Sequence, residues 1–119
     1  MPAMIRRKPK APGIQRGPQR DYPGHRAWVR TRACVVGGCS NRDIEAAHYD
    51  GAVPHEDMSG TGLKKHDRWV LPLCVRHHRD VHAWGLAKFE KVFGVDLKRA
   101  AEECARISPH RFRWLGDGR

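Results

Sequence analysis

The sequence predicts a small α+β fold in which two short strands precede a longer helical part. Residues 43–49 (DIEAAHY) alternate loosely between polar and apolar side chains, as a short strand does. Residues 69–73 (WVLPL) form a second apolar run of strand length, closed by Pro72. Beyond it, apolar side chains recur at helical spacing over residues 75–93 and again over residues 97–107. Two strands followed by helices are therefore the expected architecture.

Local signals support the ends of these elements. A first short helix is predicted over residues 25–32, after Pro23 and Gly24. Gly94 suits the C-cap of the helix over residues 75–93, and Asp96 suits the N-cap of the last helix. Residues 50–66 contain four glycines and prolines, which predict an irregular loop.

Length and composition indicate one domain with two basic tails. The chain has 119 residues, an aromatic content of 8% and a mean hydropathy of -0.71, so its apolar core is small and needs a further stabilising tie. The prediction is a disordered basic arm at 1–24, a folded domain at 25–108 and a basic C-terminal tail at 109–119. The formal charge of +10 and the pI of about 10.1 indicate an anionic polymer such as nucleic acid as partner. A basic surface that only keeps the protein soluble is the alternative.

Four metal-binding residues are spaced as two halves of one site. Cys34 and Cys39 form a C-x4-C loop with two glycines at its tip, and Cys74 and His77 form a C-x2-H pair. Thiolates and an imidazole at these spacings are typical of a closed, tetrahedral structural zinc site. The alternative is buried or disulfide-bonded cysteines, which the absence of an apolar secretory segment after the N-terminal methionine disfavours. Cys104, on a predicted helix, is interpreted as a small core residue.

Two further histidines follow on the same predicted helix. His78 and His82 are four residues apart, so they lie on one helical face and can bind one metal ion together. His77 points about 100° away from His78, at roughly 3.6 residues per turn, so the two neighbours serve different ions. The sequence thus predicts a structural site that includes His77 and a working metal site at His78 and His82.

The order of these motifs resembles one known family. The chain reads IEAAH (44–48), GTGLK (60–64), DRWVLPLC (67–74) and CVRHHRDVH (74–82). These segments resemble the HNH endonucleases of the ββα-metal (His-Me finger) fold, in particular a branch of small phage-associated HNH proteins. The resemblance covers residues 26–108. It implies a ββα-metal fold with a structural zinc knuckle, additional helices and disordered basic tails.

The resemblance also implies a role for each matching residue. His48 is similar to the general base, which removes a proton from the attacking water. His78 and His82 are similar to the helix ligands of a catalytic divalent metal, for which Mg²⁺, Mn²⁺, Ni²⁺ and Zn²⁺ are candidates. That ion would stabilise the charge that develops on the scissile phosphate. Outside this context, His48 would be interpreted as an ordinary strand histidine.

The chain departs from the family at one metal position. Many HNH proteins carry a third metal-binding side chain just before the general base, where this chain has Ala47. Glu45 lies on the same face of the predicted strand as Ala47, so its carboxylate is a candidate to reach the ion or to hold a bound water. His66 and Asp67 are further candidates, and Asp67 is also a candidate for orienting the base. Glu45 and Asp67 equally fit ordinary capping or strand-edge roles.

DNA is the partner that charge and resemblance imply together. Four basic residues beside the predicted site are candidates for phosphate contacts, which supply affinity without sequence information: Lys64, Lys65, Arg76 and Arg79. The expected activity is metal-dependent hydrolysis of phosphodiester bonds in DNA, by nicking or cleavage. The resemblance further implies a role beside a phage terminase in genome packaging, or in recombination, in the cytoplasm of a bacterial host. The alternatives are a zinc-stabilised DNA-binding accessory protein with a degenerate site, which Ala47 favours, and a nuclease acting on RNA.

Overall fold

The computed structural model describes residues 20–54, 57–58 and 65–115. These residues form a small mixed α+β arrangement, as predicted. Its regular elements are α1 (Pro23–Val29), β1 (Ile44–His48), β2 (Val70–Cys74), α2 (Val75–Trp84), α3 (Leu86–Phe93), α4 (Leu97–Ile107) and α5 (Phe112–Leu115), with a 3-10 turn at Asp67–Trp69 before β2. The GTGLK segment with Lys64, and the first nineteen residues of the predicted basic arm, lie outside the described residues.

The two strands pair antiparallel in one sheet. Glu45 lies opposite Leu73, and Ala47 lies opposite Leu71. All five residues of β2 are buried, which explains why its sequence is apolar without alternation. Because a two-stranded sheet is only marginally stable in water, it depends on the helices packed against it, namely α1, α2 and α4.

The main core lies between the sheet and the two helices that follow α2. Leu71 and Leu73 of β2 pack in one cluster with Phe89 of α3 and with Leu97 and Ala101 of α4. Each of these five side chains is at most 2% exposed. Burying a side chain of this size contributes about 1.5–3 kcal/mol, so this cluster holds β2 in the position from which α2 departs.

A second, smaller cluster attaches α1 to the other elements. Val29 of α1, Val70 of β2 and Cys104 of α4 are buried together, and Trp28 packs against them. The interpretation of Cys104 as a core residue is confirmed. Through this cluster, α1 is fixed beside the strand that carries His48.

The predicted continuous helix over residues 75–93 is wrong, because α2 and α3 are separate helices. Gly85 lies between them with φ of 89° and ψ of 154°, a conformation that is essentially restricted to glycine. The break allows Trp84 to stack on Phe93, with ring centroids 5.7 Å apart and an interplanar angle of 5°. The hydrophobic repeat of the sequence continued across Gly85 and so concealed the turn.

The boundaries of the last helix agree with the sequence prediction. Gly94 adopts the left-handed conformation, with φ of 65°, at the C-cap of α3. Asp96 caps α4, because its side chain accepts a hydrogen bond from the backbone N–H of Arg99 at 3.0 Å. No helix within the described ranges is long and apolar enough to cross a membrane.

Both ends of the described chain belong to the fold, beyond the domain boundaries drawn from the sequence. Tyr22 is 7% exposed and precedes Pro23, the first residue of α1, so the folded part begins before residue 25. At the other end, Trp114 in α5 packs edge-on against Tyr22, with ring centroids 5.3 Å apart, and against His25 at 4.7 Å. Trp114 therefore packs on the domain, although it lies in the predicted C-terminal tail.

Candidate metal centre and active site

Cys34, Cys39, Cys74 and His77 come together, and one ligand atom from each lies within 4.8 Å of all the others. Cys39 Sγ is 3.9 Å from Cys74 Sγ, and His77 Nδ1 is 3.5 Å from Cys34 Sγ and 3.2 Å from Cys74 Sγ. In a tetrahedral zinc site with Zn–S of about 2.3 Å and Zn–N of about 2.0 Å, two sulfurs lie roughly 3.8 Å apart and a sulfur lies roughly 3.6 Å from a nitrogen. The predicted set is therefore a cluster that could hold a metal ion.

The backbone around this cluster explains the spacing of the ligands. Gly38, with φ of 80°, turns the loop between the first two cysteines, and the N–H of Cys39 donates to the carbonyl of Val36 at 3.1 Å. Cys74 ends β2 and is also the N-cap of α2, where its Sγ accepts from the backbone N–H of His77 at 3.4 Å. The C-x2-H pair therefore spans the first turn of α2, and its cysteine, Cys74, caps that helix.

The thiols of the cluster have different environments. All four cysteines of the chain are free. Burial raises the pKa of Cys34 to about 11, whereas a hydrogen bond from the backbone of Asn41 lowers the pKa of Cys39. A buried thiol of this kind is neutral unless a cation stabilises its thiolate. The donor set thus has the chemistry that a bound metal ion would complete.

His78 and His82 lie side by side on the exposed face of α2, each near a carboxylate of the β1 region. His78 Nδ1 is 2.6 Å from Oε1 of Glu45, and His82 Nδ1 is 3.7 Å from Oδ2 of Asp50. The two Nε2 atoms are 3.2 Å apart. Asp50 was not singled out in the sequence, because it lies in a loop and is remote from His82 along the chain.

The carboxylates determine which ring nitrogens are available. Because a carboxylate only accepts hydrogen bonds, Nδ1 of His78 must carry the proton that it donates to Glu45. The Nε2 atom of His78 therefore carries a lone pair, and it lies toward Nε2 of His82. Two nitrogens at about 2.0–2.1 Å from one metal ion lie roughly 3.0–3.4 Å apart, and the observed 3.2 Å falls within this range.

This pair lacks a third ligand in the described structure. Among the described residues, only the Cys3His set brings three or more possible ligand atoms within 4.8 Å of one another. Ala47 is 1% exposed and packs in the core, and Glu45 is engaged with Nδ1 of His78. Glu45 thus holds a histidine in place, one step removed from where a metal would lie.

His48, the last residue of β1, is hydrogen-bonded to Asp67 in the turn before β2. His48 Nε2 lies 2.8 Å from Oδ1 of Asp67, which is completely buried. Oδ2 of Asp67 accepts from the backbone N–H of Tyr22 at 2.7 Å and from the guanidinium of Arg26. The candidate orienting residue of the sequence is therefore in contact with the candidate base, 19 positions away along the chain.

Asp67 is ionised at neutral pH despite its burial. Burial alone would raise its pKa, but hydrogen bonds from His48 and from the Tyr22 backbone, together with the charge of Arg26, lower the pKa to about 2. An ionised Asp67 accepts the Nε2 proton of His48, so the lone pair of this imidazole resides on Nδ1. No described residue forms a hydrogen bond with that Nδ1. The sequence did not identify Arg26, which contributes to this arrangement from α1.

The basic residues predicted to contact DNA have different surroundings. The ammonium of Lys65 donates to the carbonyls of Tyr49 and Gly51, where it holds the chain that leaves β1. Arg76 and Arg79 are exposed on α2, and neither forms an ion pair with a described carboxylate. For these three residues, DNA contact stays a prediction, and Lys65 also has a structural task.

The comparisons with known proteins assign the chain to a family. A family model described as "Protein of unknown function (DUF968)" matches residues 2–106. The chain belongs to the DUF968 family. The DUF968 chain is also 35% identical over 71 residues to the "Uncharacterized protein YdfU" of Escherichia coli (strain K12). That match covers 60% of this chain and only 18% of the relative's length. No solved structure matches the chain.

Proposed function

We propose that this DUF968 chain is a metal-dependent endonuclease of the HNH type, with the ββα-metal arrangement, that hydrolyses phosphodiester bonds in DNA. The observation that carries the proposal is the pairing of His78 and His82, whose Nε2 atoms face one another at 3.2 Å. Nearby carboxylates engage or face the other nitrogen of each ring. Two imidazoles that are oriented by neighbouring carboxylates, on a helix that follows two antiparallel strands, form half of a divalent metal site.

His48 would be the general base of the reaction. With Asp67 accepting from Nε2, the free Nδ1 can take a proton from the water that attacks the phosphorus atom. The buried carboxylate would also stabilise the imidazolium that forms when the proton is taken, as the aspartate of a hydrolase triad does. Arg26 and the Tyr22 N–H hold Asp67 in the required orientation.

The two metal sites would have separate tasks. A divalent ion (Mg²⁺, Mn²⁺, Ni²⁺ or Zn²⁺) at His78 and His82 would stabilise negative charge on the scissile phosphate. The Cys3His set would hold a structural zinc ion, which fits the observed distances between its ligand atoms. Since His77 belongs to that set and directly precedes His78, the structural site would fix the helical turn from which the working site starts.

The charge of the molecule supports DNA as the substrate. The chain carries a formal charge of +10, and Arg76 and Arg79 extend from the same helix as the histidine pair. Exposed guanidiniums beside the site would neutralise phosphates and position the backbone. A role beside a terminase or in recombination, in a bacterial host, stays a prediction from the family resemblance.

A DNA-binding accessory role is the second candidate function. Ala47 is buried and offers no ligand atom, so the histidine pair has no third protein ligand in the described residues. In addition, Glu45 and His48 are three positions apart on one strand, so their side chains leave it on opposite faces. Under this candidate, the protein binds DNA through its basic surface and does not cleave it.

The test is cleavage of a supercoiled plasmid with Mg²⁺, Mn²⁺ or Ni²⁺, or with no added divalent ion. We expect nicking that depends on the added metal, and His48→Ala to lower the rate by about 10²–10⁴-fold, the usual contribution of a general base. His110→Ala is the matched control, because this histidine lies outside the candidate site and contributes its backbone N–H to Ser108. The variants should keep the zinc content and the DNA affinity of the wild type.

The outcomes separate the two candidates. Metal-dependent nicking that is lost in His48→Ala and kept in His110→Ala supports the endonuclease. Equal cleavage by both variants contradicts the assignment of His48. If no metal produces cleavage while the DNA is still bound, the accessory function replaces the proposed one.

A further inference from the structure

A polar groove lies between the end of α1 and the loop that carries Cys39, apart from the candidate active site. It has a cavity volume of about 400 Å³ and is open to solvent. Three arginines line it, Arg30 and Arg32 from α1's end and Arg42 from the cysteine loop, together with Ser40 and Asn41. No aspartate or glutamate is among the described residues that line this groove.

The three guanidiniums of the groove have no carboxylate partner within the described fold. Arg30, Arg32 and Arg42 are exposed, and none of them forms an ion pair with a described carboxylate. The carbonyls at the end of α1 are also satisfied without them: the backbone N–H groups of Thr31 and Arg32 donate to the carbonyls of Trp28 and Val29 at 2.9 and 3.0 Å. The arginines are therefore not there to cap the helix.

The groove is held in shape from both sides. Arg32 lies over the ring of Trp28, 5.0 Å from its centroid, which restrains one guanidinium. On the other side, the side chain of Asn41 accepts from the backbone N–H of Asp43 at 2.9 Å, and the carbonyl of Asp43 accepts from Val75 at 2.9 Å. Arg42 is thus carried by a loop fixed between the metal cluster and the start of α2.

The groove lies at the opposite end of β1 from His48, the candidate general base. Ile44 lines the groove and is the first residue of β1, whereas His48 is the last. The two side chains leave the strand on the same face, about 13 Å apart at roughly 3.3 Å per residue. The groove and His48 therefore lie at opposite ends of one strand, close enough to contact the same DNA.

We propose that this groove binds the sugar–phosphate backbone of DNA, at the opposite end of β1 from His48. Three guanidiniums around one cavity, without a carboxylate partner among the described residues, fit the phosphates of a single strand, because guanidinium donors match phosphate oxygens in geometry and charge. That the bound strand is the one cleaved rests on the proposed function. Backbone binding in the groove does not rest on it.

The test is the salt dependence of DNA affinity for two triple variants that change the net charge equally. The groove variant is Arg30→Gln, Arg32→Gln and Arg42→Gln, and the control variant is Lys88→Gln, Lys91→Gln and Arg99→Gln on α3 and α4. Binding to a labelled DNA duplex is measured by fluorescence anisotropy without added divalent ions. We expect the slope of log affinity against log salt to become shallower by about 2.7 in the groove variant, at about 0.9 for each lost phosphate contact, and to change little in the control.

Further results decide the proposal independently of catalysis. Equal losses in the two triple variants would mean that net charge alone sets affinity, and would overturn the groove. Displacement of DNA by inorganic pyrophosphate at matched phosphate concentration would assign the groove to small anions and would also overturn it. If the triple variant does not fold, Arg30→Gln with Arg42→Gln, which keeps the contact of Arg32 with Trp28, should lower the slope by about 1.8. A protein that never cleaves but shows these slopes would refute the nuclease and keep the groove.

Discussion

At the scale of single residues, the buried side chains of Asp67 and His25 have hydrogen-bond partners that are distant in sequence. Asp67 is completely buried and binds His48, Arg26 and the Tyr22 backbone at the same time. Leaving such a carboxylate without partners would cost several kcal/mol, so each contact stabilises the fold while it orients the imidazole. His25 is also completely buried, and its Nδ1 lies 2.9 Å from the hydroxyl of Ser108.

His25 should make the protein less stable in mild acid. Burial, together with the charge of His110, lowers the pKa of His25 from 6.5 to about 4. Between these two values the unfolded chain binds the proton and the folded protein does not, so stability is lost as the pH falls through this window. The two pKa values differ by an amount that corresponds to about 3 kcal/mol.

Urea unfolding at neutral pH and at about pH 4.5 measures this effect. In His25→Phe, which retains a buried ring, the free energy of unfolding should fall less on acidification than in the wild type. Both proteins are compared at the same zinc loading, so that the acid sensitivity of the metal cluster is common to them. Parallel losses in the two proteins would show that His25 does not contribute.

At the scale of elements, the start of α2 is the point at which sheet, metal cluster and candidate site meet. Cys74 is the last residue of β2 and the N-cap of α2, and His77 and His78 follow in the first turn. The other end of the helix is set by Gly85, whose φ of 89° starts a new helix and returns Phe89 and Phe93 to the cluster side, where Phe93 packs edge-on against His77 at 4.9 Å. The candidate site is therefore built on a short helix that is fixed at both ends.

Removal of one cluster ligand should unfold this region. We expect Cys39→Ser to lose one equivalent of zinc and to lower the melting temperature strongly, because a structural zinc site contributes its binding free energy to folding. Cys104→Ala is the matched control: it also removes a thiol, from a buried position in α4 that is outside the cluster. This control should keep its zinc and lose at most about 1–2 kcal/mol.

Metal content by mass spectrometry and thermal unfolding measure both properties. A chelator added to the wild type should reproduce the unfolding of Cys39→Ser. If Cys39→Ser retains both its zinc and its stability, the four residues are not a structural zinc site.

At the scale of the whole molecule, the two ends of the described chain close the fold against one another. Tyr22 before α1 and Trp114 in α5 pack edge-on, and the backbone N–H of Tyr22 binds the carboxylate that orients His48. Much of the positive charge, in contrast, lies before these two ends in the sequence: residues 1–19 contain five arginines and lysines and no acidic residue. Stability and DNA affinity should therefore respond to different truncations.

Two truncations distinguish these contributions. Because the sequence predicts a disordered arm before it, a protein that begins at Arg20 should keep the melting temperature of the full chain. Its affinity for DNA should depend less on salt, with a slope lower by up to about 4.5. A protein that begins at His25 lacks Tyr22 and should in addition be less stable by about 2–4 kcal/mol, since a buried aromatic and a hydrogen bond to a charged group are lost. Thermal unfolding and fluorescence anisotropy measure the two effects. Equal stability of both truncated proteins would contradict the role of Tyr22.

The sequence alone predicted what depends on short-range spacing. The C-x4-C and C-x2-H pairs, the i, i+4 histidines, the strand of His48 and the capping of α4 by Asp96 are all encoded within a few neighbouring residues, where backbone geometry translates spacing directly into direction. The union of the two halves into one cluster was also predictable, because a closed site needs four ligands and the chain offered two compatible pairs.

The tertiary structure decided what depends on distant segments meeting. That Asp67 binds His48, that Glu45 and Asp50 face the Nδ1 atoms of His78 and His82, and that three arginines surround one groove follow from how α1, the sheet and α2 pack. The break at Gly85 and the inclusion of Tyr22 and Trp114 in the fold belong here too. Local patterns could not report these contacts, because the free energy that selects them comes from burial and charge pairing between residues far apart in the chain.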